Sequence, residues 1–375
     1  MELFGRIRNA EVKDVNVVTL IGSTYNDKRV EQIFKKYKPD YVYHAAAYKH
    51  VPLMEDSPAE AIRTNVVGTY NVAKMADKYH AKKMVLVSTD KAVRPTNAMG
   101  ATKRFAETIV QYFASHSNHT KYAAVRFGNV LGSNGSVVPL FKKQIEDGGP
   151  ITITDRKIIR YFMTIPEAVS LILQCGLFAD GGEIFILDMG KPVKILDLAE
   201  KLIRQAGLVP NVDIKIIETG LRPGEKLYEE LLIDGNNQIK TKNNRIYIEK
   251  RTDDFDSVEE DVLNISRVFD LEDNYEIKQI LSEIVPSYTP RKVRERTMKD
   301  NKIVFVFTNN PISLSNSNGR TIFNLLRSLD NYKIYNLYVH SGEASLNNIN
   351  YFRITDRDVF KCFFHRKHCS FSNDL

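Results

Sequence analysis

Short runs of β-branched and aromatic residues alternate with longer amphipathic stretches over most of this chain. The short runs have the length and composition of strands, and the longer ones have the period of helices. The predicted strands are Val15–Ile21, Tyr41–Ala46, Met84–Ser88, Tyr122–Phe127, Ile151–Thr154, Glu183–Met189 and Asp213–Glu218. The predicted helices are Val30–Tyr37, Ala59–Tyr79, Ala98–Ser115, Pro166–Phe178 and Ile195–Ala206. This alternation predicts βαβ units and an α/β fold with a parallel sheet.

The excess of positive charge is confined to the C-terminal end of the chain. The net charge is +7, yet residues 1–290 carry 39 basic and 39 acidic side chains, whereas residues 291–375 carry 14 and 7. A neutral body gives no electrostatic reason to expect nucleic acid as a partner. No apolar run approaches the roughly 20 residues of a membrane helix, so we expect no membrane span in this chain.

The cysteines indicate neither a disulfide framework nor a metal site. Cys175, Cys362 and Cys369 have no regular spacing, which favours a reducing, cytoplasmic setting. His365 and His368 lie between the last two cysteines, but no paired C-x-x-C or second ligand cluster accompanies them. We therefore expect no metal centre.

The character of the sequence changes near Pro290. A charge run at 291–296 is followed by a new strand-like segment, Ile303–Thr308, and a helical segment, Thr321–Leu329. Asparagine accounts for 11 of the 50 residues from 301 to 350. We predict a dinucleotide-binding domain over 1–150, a mainly substrate-binding domain over 151–290 with some return to the first sheet, a linker over 291–297 and a separate α/β fragment over 298–375.

The most informative polar segment is Ser88-Thr89-Asp90-Lys91, which follows the apolar run Met84–Val87. In an open α/β sheet, ligands bind at the carboxyl ends of the strands. Two hydroxyls, a carboxylate and an amine at such a position are therefore candidates for chemistry. The alternative interpretation is a capped loop that leads into the next helix, where the same residue types are common.

Neighbouring elements extend this candidate site. Met99 and Lys103 are four residues apart on a predicted helix and share one face. Their spacing resembles the Tyr-x-x-x-Lys pair of short-chain dehydrogenases, in which the lysine holds the nicotinamide ribose and lowers the pKa of the tyrosine. His44, Ala45 and Ala46 end the preceding predicted strand, and the small residues let a cofactor approach the backbone.

Five sequence blocks occur in the order of one enzyme family. They are HAAAYKHVPLME, TNVVGTYNV, STDKAVRPTNAMGATKR, VRFGNVLGSNGSVVPLF and TGLRPGEKLYEEL. Over roughly residues 1–290 the chain resembles the UDP-N-acetylglucosamine 4,6-dehydratases of bacterial polysaccharide and glycan biosynthesis, which are extended short-chain dehydrogenases/reductases. Met99 in place of the family's tyrosine resembles the long, retaining branch. Asn65, in the second block, matches the asparagine that the superfamily places in a helix near the active site.

The resemblance implies a lyase reaction without net redox change. Tightly held NAD takes a hydride from sugar carbon 4, a base removes the carbon 5 proton, water leaves from carbon 6, and the hydride returns to carbon 6. Asp90 would be the acid and Lys91 the base, and Thr89 would hydrogen-bond the carbon 4 oxygen. A lysine base must be partly neutral, so we expect the pKa of Lys91 to be lowered. The route of the carbon 4 proton stays unassigned, because Met99 cannot act as a base.

The resemblance also implies the ligand contacts. NAD would contact His44, the small residues Ala45 and Ala46, and Lys103. The UDP-sugar, a UDP-N-acetylhexosamine, would contact Lys49, His50, Asn65, Arg126, Asn129, Arg160, Arg222 and Glu225. Arginine suits a diphosphate because its guanidinium can bond two oxygens at once.

The start of the chain departs from the family pattern. The family begins with a strand, a glycine-rich turn and a helix that hold the pyrophosphate, whereas only Gly5 and Gly22 occur near this N-terminus. Ser23 and Asn26 stand where the family has acidic residues, one of which contacts adenine. We therefore expect an N-terminally truncated, incomplete doubly wound (Rossmann-like) sheet with a smaller C-terminal substrate domain, and we expect this chain by itself not to bind NAD.

Three alternatives stay open for the function of residues 1–290. This part of the chain is an active dehydratase, a sugar-nucleotide epimerase of the same superfamily, or a non-catalytic remnant. Residues 298–375 resemble the opening of a glycosyltransferase. The sequence is also compatible with a homo-oligomer.

Overall fold

A computed structural model gives the arrangement of most of the chain. It describes residues 16–133, 136–222, 224–229, 238–249, 257–290, 302–308, 332–338 and 349–353. The chain divides into two compact units, Met1–Val293 and Arg294–Leu375. Each unit is described by itself. The division of the first unit at residue 150 stays a prediction.

The first unit is built around one twisted mixed sheet and several short ladders. Its strands are β1 Tyr41–His44, β2 Lys83–Val87, β3 Lys121–Arg126, β4 Asn129–Val130, β5 Ile151–Ile153, β6 Ile159–Arg160, β7 Phe162–Met163, β8 Glu183–Leu187, β9 Val193–Lys194, β10 Ile216–Glu218, β11 Gln238–Lys240 and β12 Ile246–Glu249. The main sheet has the order β1-β2-β3-β8-β12-β11. Its first four strands are parallel, and the last two are antiparallel. The predicted parallel α/β sheet is confirmed.

Helices cover both faces of this sheet. The described helices of the first unit are α1 Asp27–Tyr37, α2 Val51–Asp56, α3 Pro58–Ala61, α4 Gly68–Lys78, α5 Ala98–His116, α6 Val137–Glu146, α7 Ile165–Phe178, α8 Ile195–Gln205, α9 Val258–Ile265 and α10 Asn274–Ile284. One core lies between the sheet and α1, α4, α5, α9 and α10. A second core lies between the sheet and α7. No helix among the described residues is both long and apolar enough to cross a membrane.

The longest central helix starts where its sequence provides a cap. Asn97 Oδ1 accepts a hydrogen bond of 2.8 Å from the backbone N–H of Gly100, which satisfies a donor that the first turn of α5 leaves free. The backbone of α5 approaches the loop after β2 closely at Gly100. A Cβ there would lie 2.4 Å from the carbonyl oxygen of Lys91. The helix can therefore lie against the Thr89–Lys91 loop only with glycine at this position.

The predicted strand Val15–Ile21 is wrong for residues 16–21, which have no strand assignment; Val15 lies outside the described residues. The β-branched pattern was present, but a strand also needs a hydrogen-bonded neighbour. Among the described strands, β1 pairs with β2 alone and forms an edge of the sheet. Ile21 is 90% exposed, so this segment does not gain the burial that its apolar residues predicted.

The predicted helix Ala59–Tyr79 is interrupted. Between α3 and α4, residues Ile62–Val67 form a π-helical turn. Such turns are rare and are frequent at functional sites. Here the turn carries Asn65, which is fully buried.

A third, smaller core lies beside the main sheet. It joins the parallel pair β5 and β10 to α6 and α8. The helix α6 was missed from the sequence, although its Phe141 is fully buried in this core. The ladders β4–β7 and β6–β9 carry the chain from the main sheet to this smaller core.

The described part of the second unit is a sheet of three parallel strands. They are β13 Lys302–Thr308, β14 Tyr332–Tyr338 and β15 Ile349–Arg353, in this order. The predicted strand Ile303–Thr308 is confirmed by β13. The predicted helix Thr321–Leu329 lies outside the described residues. The resemblance of this unit to a glycosyltransferase stays a prediction.

Candidate active site

A cavity of about 670 Å³ lies at the carboxyl ends of β1, β2 and β3. Ala45 and Ala47 line it after β1, Ser88 and Thr89 after β2, and Phe127 after β3. Parallel strands bring their carboxyl ends to one edge of the sheet, where open α/β folds bind ligands. The sequence prediction placed the polar segment at this edge, and the geometry agrees with it.

Thr89, Asp90 and Lys91 form one bonded group beside the cavity. Asp90 is only 1% exposed. Its Oδ1 accepts hydrogen bonds from Thr89 Oγ1 at 2.8 Å and from Lys91 Nζ at 3.0 Å. Its backbone N–H donates to the carbonyl oxygen of Phe127 at 3.1 Å, which fixes the short 3-10 turn Asp90–Ala92 to the end of β3. A carboxylate and an amine are thus held side by side, as an acid–base pair requires.

The expectation of a lowered pKa for Lys91 is wrong for the protein without ligand. Burial alone lowers the pKa of Lys91, and the charge of Arg160 acts in the same direction. The carboxylates of Asp90 and Glu229 outweigh both and raise the pKa above its ordinary value. The second carboxylate, Glu229, comes from a distant part of the sequence, so no local pattern places it beside Lys91. In this state Lys91 is an ammonium group.

Met99 and Lys103 lie on the cavity side of α5, as their spacing predicted. Met99 is 3% exposed and packs against Met54, Ala61 and Val51. Lys103 is 4% exposed, and burial lowers its pKa to about 8 against the opposing effect of Glu107. The amine of Lys103 therefore lies in the wall of the cavity and exchanges its proton near pH 8.

The residues after β1 differ in their access to the cavity. Ala45 lines the cavity, whereas Ala46 and His44 do not. His44 is 4% exposed, and its Nε2 lies 3.1 Å from Thr69 Oγ1. Burial, with a smaller effect of Lys103, lowers the pKa of His44 to about 3, so its imidazole is neutral. The predicted cofactor contact of His44 is therefore corrected to a packing role behind the cavity.

Asn65, a predicted substrate contact, has its side-chain amide bonded within the fold. Its Oδ1 accepts from the backbone N–H of Tyr48 at 2.8 Å, and its Nδ2 donates to the Tyr48 carbonyl and to Thr102 Oγ1, both at 3.0 Å. Asn65 is fully buried and does not line the cavity. It instead joins the loop after β1 to α5. The family pattern identified the residue, but its partners depend on the tertiary fold.

Arg126 is also not a diphosphate ligand in this structure. It is fully buried and does not line the cavity. Its Nε and Nη2 donate to the two oxygens of Glu107 at 2.7 and 2.6 Å, and its Nη1 lies 2.9 Å from Glu249 Oε2. Ser88 Oγ also donates to Glu107, at 2.6 Å. Both carboxylates need the guanidinium as a counterion, so this arginine holds β3 to α5 and β12.

The remaining predicted substrate residues all line the cavity. They are Lys49, His50, Asn129, Arg160, Arg222 and Glu225. Burial lowers the pKa of Lys49. Burial, with a smaller effect of the charge of Lys49, lowers the pKa of His50.

Arg160 and Arg222 differ in their freedom to bind an anion. Arg160 is 7% exposed and donates to the carbonyl oxygens of Ile159, Leu227 and Lys226 at 2.8, 3.2 and 2.8 Å. Arg222 is exposed. Its backbone N–H donates to Glu225 Oε2 at 3.1 Å, which holds the turn at the cavity rim. Arg222 therefore has the more available guanidinium for a diphosphate.

Sequence reasoning missed Glu229. It is 7% exposed, and its Oε1 lies 3.3 Å from Lys91 Nζ and 3.7 Å from Arg160 Nε. A signal was present, because Glu229 belongs to the block TGLRPGEKLYEEL, in which Arg222 and Glu225 were assigned to the substrate. Nothing in the local pattern showed that this block returns to the loop after β2.

The described residues fit one end of a dinucleotide. Small side chains at Ala45 and Ala47 and the cation of Lys103 suit a nicotinamide ribose. Asn26 Oδ1 accepts a hydrogen bond of 3.0 Å from the backbone N–H of Arg29 and caps α1. This side-chain oxygen is therefore already bonded within the fold. Among residues 16–133, which hold the edge strand and its neighbours, no glycine-rich turn offers a row of N–H donors for a pyrophosphate.

Residues 2–251 match the sequence profile of a family described as polysaccharide biosynthesis protein. The chain belongs to this family. The capsular polysaccharide biosynthesis protein CapD of Staphylococcus aureus is 57% identical over 218 residues, which are 58% of this chain and 36% of CapD. The chain thus spans about a third of that relative.

More distant relatives carry enzyme names of two kinds. UDP-N-acetylglucosamine 4,6-dehydratase (inverting) of Campylobacter jejuni is 39% identical over 206 residues, 53% of this chain and 58% of that protein. UDP-glucose 4-epimerase of Rickettsia rickettsii is 38% identical over 214 residues, 56% of this chain and 61% of that protein. The family relationship is therefore established at a level that includes dehydratases and epimerases.

Solved structures share the fold. Pen from Bacillus thuringiensis has a TM-score of 0.60 and 39% identity and covers 66% of this chain and 75% of its own. DesIV, a dTDP-glucose 4,6-dehydratase from Streptomyces venezuelae with NAD and TYD bound, has a TM-score of 0.52 and 20% identity over 62% of this chain and 75% of its own. At that identity the second likeness concerns the fold alone.

Proposed function

We propose that the site is built for the 4,6-dehydration of a UDP-N-acetylhexosamine in polysaccharide or glycan biosynthesis. The observation that carries the proposal is the bonded group of Thr89, Asp90 and Lys91 at the cavity edge of β2, with Met99 and Lys103 lining the same cavity. Water loss across two neighbouring carbons needs an acid and a base side by side. A carboxylate and an amine 3.0 Å apart meet that requirement.

The residues take distinct roles in this proposal. Lys91, as a neutral amine, accepts the proton from sugar carbon 5. Asp90, when protonated, donates to the hydroxyl that leaves carbon 6. Thr89 Oγ1 donates to the carbon 4 oxygen in place of its present bond to Asp90. Arg222 and Arg160, with Asn129 and the backbone around Glu225, bind the diphosphate side of the substrate. Water is excluded by the apolar wall that includes Met99.

NAD supplies the transient hydride acceptor when it is bound. Ala45 and Lys103 would hold its nicotinamide ribose, and the lowered pKa of Lys103, about 8, would let this lysine exchange a proton with the ribose near neutral pH. The pyrophosphate needs N–H donors that the described residues do not offer, so we propose that this chain by itself binds NAD weakly or not at all. A cytoplasmic location also stays a proposal.

An epimerase of the same superfamily is the second candidate, since named relatives include one. Both reactions begin with oxidation at carbon 4, so the thioether of Met99, which has no exchangeable proton, does not separate them. Asp90 and Lys91 would have no role in a reaction that leaves carbon 6 unchanged. This acid–base pair favours dehydration.

The test extends the chain at its N-terminus with a glycine-rich strand–turn–helix unit from a relative. With NAD and UDP-N-acetylglucosamine, we expect a 4-keto-6-deoxy product, detected by mass spectrometry as loss of one water. Lys91→Ala in the same protein should abolish water loss, because Lys91 is the base assigned to carbon 5. An epimer without water loss, or normal turnover by Lys91→Ala, would contradict the assignment.

A further inference from the structure

Glu229 contacts the same amine of Lys91 that is bonded to Asp90. Lys91 Nζ lies 3.0 Å from Asp90 Oδ1 and 3.3 Å from Glu229 Oε1. All three side chains are largely buried, with side-chain exposures of 19% for Lys91, 2% for Asp90 and 4% for Glu229. One ammonium group thus bridges two carboxylates that come from distant parts of the sequence.

The charges around this bridge create a difficulty for the proposed base. Asp90 and Glu229 keep Lys91 in its ammonium form, whereas Arg160 and Lys226 on the facing segment oppose them. An ammonium group has no free electron pair and cannot take a proton from carbon. Lys91 must therefore lose one proton to a nearby group before it acts. Asp90 is the acceptor of that proton, because it must be protonated to act on the leaving hydroxyl and its Oδ1 lies 3.0 Å from Nζ.

Glu229 has the geometry to hold this amine in place. Its Oε1 lies 3.3 Å from Lys91 Nζ, and its Oε2 is buried without a hydrogen-bond partner among the described residues. The carboxylate therefore contacts Lys91 and Arg160 through the same oxygen. Arg160 Nε, 3.7 Å from Oε1, holds the carboxylate in place from the substrate side of the cavity.

We propose that Glu229 is the positioning residue of Lys91, which fixes Nζ beside Asp90 while one proton passes from Lys91 to Asp90 before carbon 5 is deprotonated. In this step an N–H bond of Lys91 breaks and an O–H bond of Asp90 forms, so one proton transfer produces both the free amine and the protonated acid. The free amine of Lys91 then accepts the carbon 5 proton. This role rests on the proposed dehydration, but the contact itself can be tested without turnover.

The first measurement uses the chain as purified, without cofactor or sugar. Lys91 is labelled with an amine-reactive reagent over a range of pH, and its labelled peptide is quantified by mass spectrometry. Glu229→Gln removes one negative charge beside the ammonium, so the pKa of Lys91 should fall and its labelling near pH 8 should rise about tenfold, the effect of one pKa unit. Glu225→Gln is the matched control, because Glu225 contacts Arg160 and has no contact with Lys91. Equal labelling of Lys91 in the Glu229→Gln protein and the parent would overturn the proposal.

Circular dichroism shows whether each variant is folded. A second variant keeps the test decisive if the Glu229→Gln protein does not fold. Glu229→Asp keeps the charge and shortens the side chain, so Lys91 should stay protected from labelling; labelling as fast as in denatured protein would contradict the bridge.

A second measurement separates this role from the proposed function. In the N-terminally extended enzyme, Glu229→Gln should lower kcat at least about tenfold with little change in KM. It should slow exchange of the carbon 5 hydrogen with solvent deuterium, while reduction of the nicotinamide still appears as absorbance. If reduction itself is absent in the parent enzyme, the dehydratase assignment fails and the labelling result still reports on Glu229. Loss of reduction in the variant alone would overturn the positioning role.

Discussion

Removal of the Arg126 guanidinium should destabilise the first unit strongly. Arg126 is fully buried and is bonded to Glu107 at 2.7 and 2.6 Å, with Glu249 at 2.9 Å. Arg126→Met keeps much of the side-chain volume but removes the guanidinium that contacts the buried carboxylates of Glu107 and Glu249, and it leaves Glu107 with Arg104 at 3.9 Å. Breaking a buried pair in this way costs about 3–5 kcal/mol. We expect a loss of that size in the free energy of unfolding.

The assay is urea unfolding followed by far-UV circular dichroism, with the midpoint and slope compared between variants. Arg222→Ala is the matched control, since Arg222 is exposed and its loss should change stability by less than about 0.5 kcal/mol. The pair Arg126→Met with Glu107→Gln should recover part of the loss, because one of the buried charges is then removed. A loss below about 1 kcal/mol for Arg126→Met, together with weaker UDP-sugar binding, would refute the structural role and restore the ligand role.

Three further predictions concern the ligands and the two units. In the N-terminally extended enzyme, Arg222→Ala should raise the Michaelis constant for the UDP-sugar more than it lowers turnover, because a diphosphate contact is equal in the ground and transition states; a large loss of turnover at unchanged apparent affinity would speak against it. Calorimetric titration of this chain, without the N-terminal extension, with NAD should show no binding in the micromolar range. Tight binding would show that other donors hold the pyrophosphate. Limited proteolysis should cut near Arg291–Arg296 and release a body of about 290 residues, whereas equal resistance of both units would contradict a boundary there.

The strand and helix pattern was the part of the fold that the sequence could predict. The buried strand Lys83–Val87 and the capped helix Ala98–His116 follow from local signals, namely apolar runs, turn residues and an N-cap. The edge of the sheet could not be predicted in the same way. Val17 and Val18 have strand-like composition, but whether such residues form a strand depends on a neighbour that local sequence does not specify.

The chemistry of the site was predicted where it depends on adjacent residues. Thr89, Asp90 and Lys91 are consecutive, so their proximity required no knowledge of the tertiary fold. Arg126 was predicted as a substrate contact, but its counterion Glu107 comes from another element and holds the guanidinium away from the cavity. The contact of Glu229 with Lys91 joins residues 138 positions apart, and such pairs follow from packing rather than from a local pattern.

The π-helical turn Ile62–Val67 sets the rotation of everything that follows it in the helix. One residue in an α-helix corresponds to about 100° of rotation. Deletion of a single residue here would let α3 and α4 run on as one continuous α-helix, but it would turn Asn65 or the face of α4 by that angle. Thr69, which bonds His44, and the apolar side chains behind it could then not both keep their neighbours. Length changes in this segment should therefore be tolerated less well than substitutions, and an extra residue should need a compensating deletion nearby.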